Sequence, residues 1–125
     1  ALVIVTPGFG ISTKWAYEAL AQVRPPPAPP VQDLLDALNG NDLDALPTRL
    51  YNSFETPVFS KYVLLPVLKK FLLDRGATAV LMSGSGSSLF AVAESRDRAG
   101  QIADGLRAGY GKDLFVRVTG LLERP

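Results

Sequence analysis

The stretch from Ser83 to Ser88 has the sequence SGSGSS and lies between two apolar segments. These flanking segments, Thr78–Met82 and Leu89–Ala93, are short and apolar, which is typical of two β-strands joined by a hairpin. Glycine reaches positive φ and lets another group approach the backbone without a Cβ in the way. Small hydroxyls beside such a backbone suit phosphate oxygens. The stretch therefore predicts either a flexible hairpin turn or a loop that borders a phosphate.

Strands and helices alternate along the rest of the chain. Two more strands are predicted at Leu2–Thr6 and Leu114–Thr119. Apolar residues at helical spacing predict helices in five stretches: from an N-cap at Ser12 or Thr13 to about Val23, Val31–Leu38, Leu43–Phe54, Pro66–Arg75, and from an N-cap at Ser95 through Leu106. Prolines at 25–30 favour a polyproline II spacer, although their PxxP spacing also permits docking to an aromatic groove.

The order of these elements predicts the fold. Without the surplus helices it is β-α-β-β-α-β, the ferredoxin-like split β-α-β arrangement. We therefore expect an α+β domain of 125 residues, with extra helices on one face of a four-stranded antiparallel sheet. The chain begins at an apolar strand with no initiator methionine, so we expect it to be a piece of a longer protein.

Composition excludes several kinds of function. With 13 basic and 12 acidic residues, the net charge of +1 favours neither a nucleic acid nor a membrane surface as partner. No apolar run approaches the ~20 residues that span a bilayer. The chain has no cysteine and no histidine, so it lacks a thiolate nucleophile and the usual general base near neutral pH. We therefore expect no catalytic residue and no metal site within it.

Three blocks of sequence resemble the C-terminal domain of the GHMP kinases, a superfamily of small-molecule kinases. They are Pro7–Tyr17 (PGFGISTKWAY), Asn52–Glu55 (NSFE) and Gly76–Phe90, which contains the serine-glycine loop. They occur in the family's order and at about its spacing, and the resemblance covers essentially the whole chain. Two departures are evident: the second block usually has Asp and Leu at its centre, and a proline often stands at Ser87.

The resemblance implies an enzyme of which this chain is one half. The ATP-phosphate loop, the catalytic Asp and Lys and the Mg²⁺ ligands of such a kinase lie in an N-terminal domain, the expected partner of this chain. The implied reaction transfers the ATP γ-phosphate to the 2-hydroxyl of a cytidine-diphosphate-linked methylerythritol, in non-mevalonate isoprenoid precursor synthesis. We expect the isolated chain to be inactive and to hold neither ATP nor Mg²⁺. The implied compartment is a bacterial cytoplasm or a plastid stroma.

Two other functions stay open at this point. One is a different GHMP kinase that acts on another small alcohol. The other is a ferredoxin-like ligand-binding module with no enzymatic role.

The resemblance also assigns roles to residues near the first block. An aromatic ring at Tyr17 would stack on the cytosine of the substrate, and Tyr17 lies off the apolar stripe of its predicted helix, with a ring face free. Packing on neighbouring loops is the alternative. The hydroxyl of Thr13 would either cap the helix or reach the substrate. Lys14 is expected to be solvated and Trp15 to pack.

The serine-glycine loop supplies the remaining site residues. The resemblance implies that Ser83, Gly84, Ser85, Gly86 and Ser87 border the phosphates across the cleft from the nucleotide loop. We expect Gly86→Val to harm turnover more than folding. Asn52 and Glu55 are spaced to share a helix face, as a surface pair or in contact with a neighbouring loop.

Overall fold

A computed structural model describes residues 1–120 of the chain. The four strands are β1 (Leu2–Pro7), β2 (Ala79–Met82), β3 (Leu89–Val92) and β4 (Leu114–Thr119). The α-helices are α1 (Thr13–Ala21), α2 (Val31–Asn39), α3 (Leu46–Arg49), α4 (Glu55–Lys61), α5 (Leu64–Asp74) and α6 (Arg96–Tyr110). Short 3₁₀ turns occur at Leu43–Ala45 and Gly111–Asp113.

The strands form one sheet in the order β2-β3-β1-β4, and every neighbouring pair is antiparallel. Leu2 of β1 lies opposite Val92 on one side and Thr119 on the other. The connection from β1 to β2 passes over β3, and the connection from β3 to β4 passes over β1. This is the split β-α-β arrangement, so the predicted α+β fold is confirmed.

One face of the sheet carries the main core. Alternation along the strands points Val3, Val5, Met82 and Leu89 to this face, where each is almost fully buried. Four helices, α1, α4, α5 and α6, pack their apolar stripes against it with Ala16, Val58, Leu65, Leu68, Leu72, Ile102 and Leu106. This face confirms the layered arrangement expected from the sequence.

The other face is also partly covered. Ala79 of β2, which points opposite to Val80, packs with Ala37 of α2 and Leu46 of α3 in a second apolar cluster. The segment from α2 to α3 therefore departs from the expectation that the extra helices lie on one face. Its helices are amphipathic and short, and the half-open face of an antiparallel sheet offers them apolar surface to bury.

The predicted helix over Leu43–Phe54 is wrong as one element. Helix α3 ends after a single turn because Leu50 adopts an extended backbone, and the chain re-enters a helix only at Glu55. Asn52 consequently lies outside any helix and does not share a helix face with Glu55. By contrast, α5 begins two residues before Pro66, since the amides of a first helical turn need no intrahelical partner.

The proline-rich segment 24–30 has no regular secondary structure, in line with an extended spacer. The hydroxyl of Tyr51 donates a hydrogen bond to the carbonyl of Pro26, which ties the spacer to the segment before α4. Within residues 1–120, no helix combines the length and the apolar character needed to cross a bilayer.

Candidate functional site

The loop between β2 and β3 is a tight and well-braced turn. Gly84 and Gly86 have positive φ, +54° and +93°, a region that favours glycine. The amide of Ser83 donates to the carbonyl of Ser88 at 2.8 Å, and the amide of Gly86 donates to the carbonyl of Ser83 at 3.0 Å. Two backbone hydrogen bonds therefore close the loop into a compact hairpin turn.

The second half of the loop is bonded to the body of the domain. Ser87 is 7% exposed, and its hydroxyl donates to the carbonyl of Phe9 at 2.7 Å. Ser88 and Thr6 share a hydrogen bond of 2.7 Å between their hydroxyls. These contacts explain how the loop accommodates a serine at position 87, because the hydroxyl finds a partner in the first block of the family motif.

At the tip of the loop, by contrast, two backbone amides have no hydrogen-bond partner among the described residues. The amide N–H groups of Gly84 and Ser85 donate no hydrogen bond to another residue within the described part of the chain. No atom lies within 4 Å of the position that a Cβ on Gly84 would take. Two consecutive unpaired amides beside an open surface are a feature of backbone anion sites.

Asn52 braces the start of the loop from outside the sheet. Its side-chain amide donates to the carbonyls of Met82 and Gly84, both at 2.7 Å. Its side-chain oxygen accepts from the amide of Phe54 at 3.0 Å. Asn52 thus joins the loop to the turn before α4. Of the two roles expected from the sequence, a surface pair or a contact with a neighbouring loop, the structure shows the second.

Glu55 completes this brace. Its carboxylate accepts from the amide of Met82 at 2.9 Å and from the ammonium of Lys69 at 2.7 Å. The Glu55 and Lys69 side chains are 16% and 28% exposed, so the ion pair is largely shielded from water. The second family block indicated Asn52 and Glu55, but no sequence pattern indicated Lys69, which lies 14 residues after Glu55 on α5.

Tyr17 lies on the exposed side of α1. Its side chain is 60% exposed, and its ring packs edge-on against Phe54 with centroids 5.0 Å apart. Phe54 in turn lines a cavity of about 430 Å³ that Ser83 and Gly84 also line. Tyr17 itself is not among the lining residues, so the structure brings it to the cavity through Phe54.

The other residues at the start of α1 cap the helix, face solvent or pack against a neighbouring ring. Ser12 is the N-cap, since its hydroxyl accepts from the amide of Trp15 at 3.2 Å. Thr13 is the first helical residue, and its exposed hydroxyl makes no hydrogen bond to the described residues. Lys14 is 87% exposed, with Glu18 4.0 Å away. Trp15 packs edge-on against Tyr62, which confirms its structural role.

The cavity beside the loop contains no charge of its own. Its nine lining residues are polar, aromatic or aliphatic, and none is an Asp, Glu, Lys, Arg or His. Residues 1–120 also contain no group of three acidic side chains placed to hold a metal ion. Any phosphate at this loop would depend on amides and hydroxyls here and on cations from elsewhere.

This fold and its serine-glycine loop are those of one class of protein domain, the C-terminal domain of a kinase family. Residues 14–112 match the family model described as "GHMP kinases C terminal". The match covers well over half of the chain, so the chain belongs to this family.

Its relatives are named for one enzyme. The chain is 39% identical, over 94% of its length, to the 4-diphosphocytidyl-2-C-methyl-D-erythritol kinase of Synechococcus sp. (strain JA-3-3Ab). It is 33% identical, over 95% of its length, to the enzyme of the same name from Exiguobacterium sibiricum. The chain spans 41% of the length of each of these relatives.

Two solved kinase structures share this fold. A crystal structure of 4-(cytidine 5'-diphospho)-2C-methyl-D-erythritol kinase superposes with a TM-score of 0.72 at 32% identity, covering 92% of this chain and 41% of that one. A homoserine kinase from Cytophaga hutchinsonii superposes with a TM-score of 0.59 at 23% identity, over 94% of this chain and 41% of that one. The second likeness shows the fold alone.

Proposed function

We propose that this chain is the C-terminal, substrate-binding part of a kinase that phosphorylates 4-diphosphocytidyl-2-C-methyl-D-erythritol on its 2-hydroxyl. The observation that carries the proposal is the pair of unpaired amides at Gly84 and Ser85, beside a cavity that Gly84 and Phe54 both line, with the ring of Tyr17 against Phe54. A backbone phosphate site and an aromatic ring near one cavity suit a cytidine diphosphate. The names of the relatives support the same substrate.

Each predicted site residue takes a role in this proposal. The ring of Tyr17 stacks on cytosine, an interaction worth about 1–3 kcal/mol for one base. The exposed hydroxyl of Thr13 bonds to a polar group of the substrate. Residues 83–87 border the transferring phosphates, with Gly84 and Ser85 donating amides and Gly86 and Ser87 fixing the shape of the turn.

The proposal requires an N-terminal kinase domain, ATP and Mg²⁺. The cavity lining contributes no cation, and the described residues form no acidic metal cluster, so charge neutralisation has to come from that domain and its metal. When bound, Mg²⁺ would offset the negative charge of the phosphates. The proposed site of the reaction is a bacterial cytoplasm or a plastid stroma.

The direct test compares the full-length protein that contains this chain with the chain alone. We expect the full-length protein to phosphorylate 4-diphosphocytidyl-2-C-methyl-D-erythritol with ATP and Mg²⁺, and the isolated 125 residues to give no turnover. Product is measured by phosphorus NMR, which also identifies the hydroxyl that is modified. Phosphorylation by the chain alone would contradict the division of roles.

A panel of other small alcohols tests the rival substrate class. Homoserine and mevalonate serve as competitors, because kinases of these alcohols share the fold. Preference for either of them over the cytidine-linked alcohol would favour the other GHMP kinase, and absence of any kinase activity in the full-length protein would favour a ligand-binding module.

A further inference from the structure

We propose that Asn52 and Glu55 are positioning residues that hold the amides of the serine-glycine loop toward the phosphates. The inference rests on the proposed function, since it concerns how that same site is kept in shape. Asn52 lines the cavity beside the loop, and the contacts of both side chains with the loop are to the backbone of Met82 and Gly84.

The first argument comes from the position of β2 in the sheet. β2 is an edge strand among the described strands, and an edge strand leaves backbone N–H and C=O groups without a neighbouring strand. At Met82 both groups are bonded to side chains, the N–H to Glu55 and the C=O to Asn52. The segment 52–55 therefore takes the place of a fifth strand at the point where the loop leaves the sheet.

The second argument concerns the tip. Asn52 also bonds to the carbonyl of Gly84, at 2.7 Å, and this carbonyl belongs to the same peptide unit as the free amide of Ser85. Because a peptide unit is planar, fixing its carbonyl fixes the direction of its N–H. Asn52 thus sets the direction in which the Ser85 amide points.

The third argument is electrostatic. A carboxylate this close to a phosphate loop would repel the ligand if its charge were uncompensated. Lys69 lies 2.7 Å from Glu55 and the pair is largely shielded from water, so the charge is offset. Glu55 can then accept from the Met82 amide without opposing the bound phosphate.

The fourth argument links the two ends of the site. The side-chain oxygen of Asn52 accepts from the amide of Phe54, whose ring contacts Tyr17. One side chain therefore connects the proposed base-binding ring to the proposed phosphate loop. A shift of Asn52 would change the distance between the two ends.

The experiment uses the full-length kinase and two substitutions that conserve side-chain size. Asn52→Asp removes both N–H donors while keeping the oxygen that serves Phe54. Glu55→Gln removes the charge while keeping an oxygen for Met82. The matched control is Asn39→Asp, the same chemical change at an exposed residue that ends α2 and makes no side-chain hydrogen bond to the loop.

We expect Asn52→Asp to lower kcat about tenfold, with KM for the cytidine-linked alcohol within about threefold of the parent, because the loop is misplaced in the transition state. Glu55→Gln should change kcat in the same direction by a smaller factor, and Asn39→Asp should leave kcat unchanged. Rates are expressed per folded molecule at 25 °C, and melting temperatures are recorded alongside.

If Asn52→Asp lowers only the melting temperature and leaves kcat per folded molecule unchanged, the inference is overturned, and Asn52 stabilises the fold without positioning the loop. If Asn52→Asp fails to fold, Glu55→Gln decides by the same criterion. If the parent shows no kinase activity, the proposed function fails, and the inference is then judged by NMR. It requires Asn52→Asp, and not Asn39→Asp, to shift the Ser85 amide signal; an unshifted signal overturns it.

Discussion

The two glycines of the serine-glycine loop are two residues apart and both have positive φ, but their surroundings differ. A Cβ on Gly86 would lie 2.8 Å from Cδ1 of Ile11 and 3.0 Å from Sδ of the buried Met82. A Cβ on Gly84 would meet nothing within 4 Å. The inner half of the loop is therefore part of the packed domain, whereas the tip is open surface. We therefore expect Gly86 to matter mainly for stability and Gly84 mainly for the proposed site.

The largest effect is expected for Gly86→Val. Positive φ costs a β-branched residue about 1–3 kcal/mol, and forcing extra atoms into packed surroundings costs about as much again. We expect a loss of about 3 kcal/mol in the free energy of unfolding, measured in urea. The sequence led us to expect that Gly86→Val harms turnover more than folding. The packing around Gly86 now favours a large effect on folding, and we expect the effect on turnover at Gly84 instead.

A matched control for Gly86→Val is Gly100→Val, at a glycine of α6 with open space around its Cβ position. Its effect should stay within about 1 kcal/mol. Equal urea midpoints for the parent and Gly86→Val would refute the assignment of Gly86 to the packed half.

Tyr17→Ala is next in size and tests whether the ring belongs with the open tip. Removing the ring should raise KM for the cytidine-linked alcohol by the equivalent of about 1–3 kcal/mol, with little change in kcat. The melting temperature should change little, because the side chain is 60% exposed. Tyr17→Phe keeps the stacking face and should restore KM; a parent-like KM in Tyr17→Ala would remove Tyr17 from the site.

Gly84→Ala separates backbone conformation from function. An alanine at positive φ costs about 1–2 kcal/mol, and we expect this loss of stability together with a kcat about tenfold lower, because the new methyl group would stand at the open tip, next to the amides proposed to bind phosphate. Gly111→Ala is the control for kcat alone: Gly111 also has positive φ, +61°, and open space at the end of α6, but its ψ of −136° makes the stability cost a different one. If the two variants have the same kcat, the tip has no role in catalysis.

The smallest effect is expected for Ser87→Ala. Losing the hydrogen bond to Phe9 should lower the free energy of unfolding by about 1 kcal/mol, and kcat should fall less than in Gly84→Ala, because Ser87 shapes the turn without donating an amide to the phosphates. Ser85→Ala, at a hydroxyl with no hydrogen bond to the described residues, should cost less than about 0.5 kcal/mol. Calorimetry of the two variants measures the difference, and a larger loss in Ser85→Ala would reverse the proposed order of the two halves.

Sequence patterns predicted most of the elements correctly. The bounds of β4 are those expected, Ser95 caps α6 through the amide of Arg98, and Gly76, with φ of +99°, lies just after α5 as predicted. These features depend on residues within a few positions of one another, where period-2 or helical spacing and capping chemistry operate. The break at Leu50 was missed, because apolar spacing alone does not reveal an extended residue between two helical turns.

The residue types of this chain were enough to establish its strand and helix order, its family and the position of its serine-glycine loop. Only the tertiary structure decided which glycine is packed and which is open, and that the side chain of Asn52 meets the carbonyl of Met82, 30 residues further along the chain. The physical reason is that backbone conformation follows from near neighbours in sequence. The partners of a side chain depend on how distant elements pack, and local patterns carry no record of that packing.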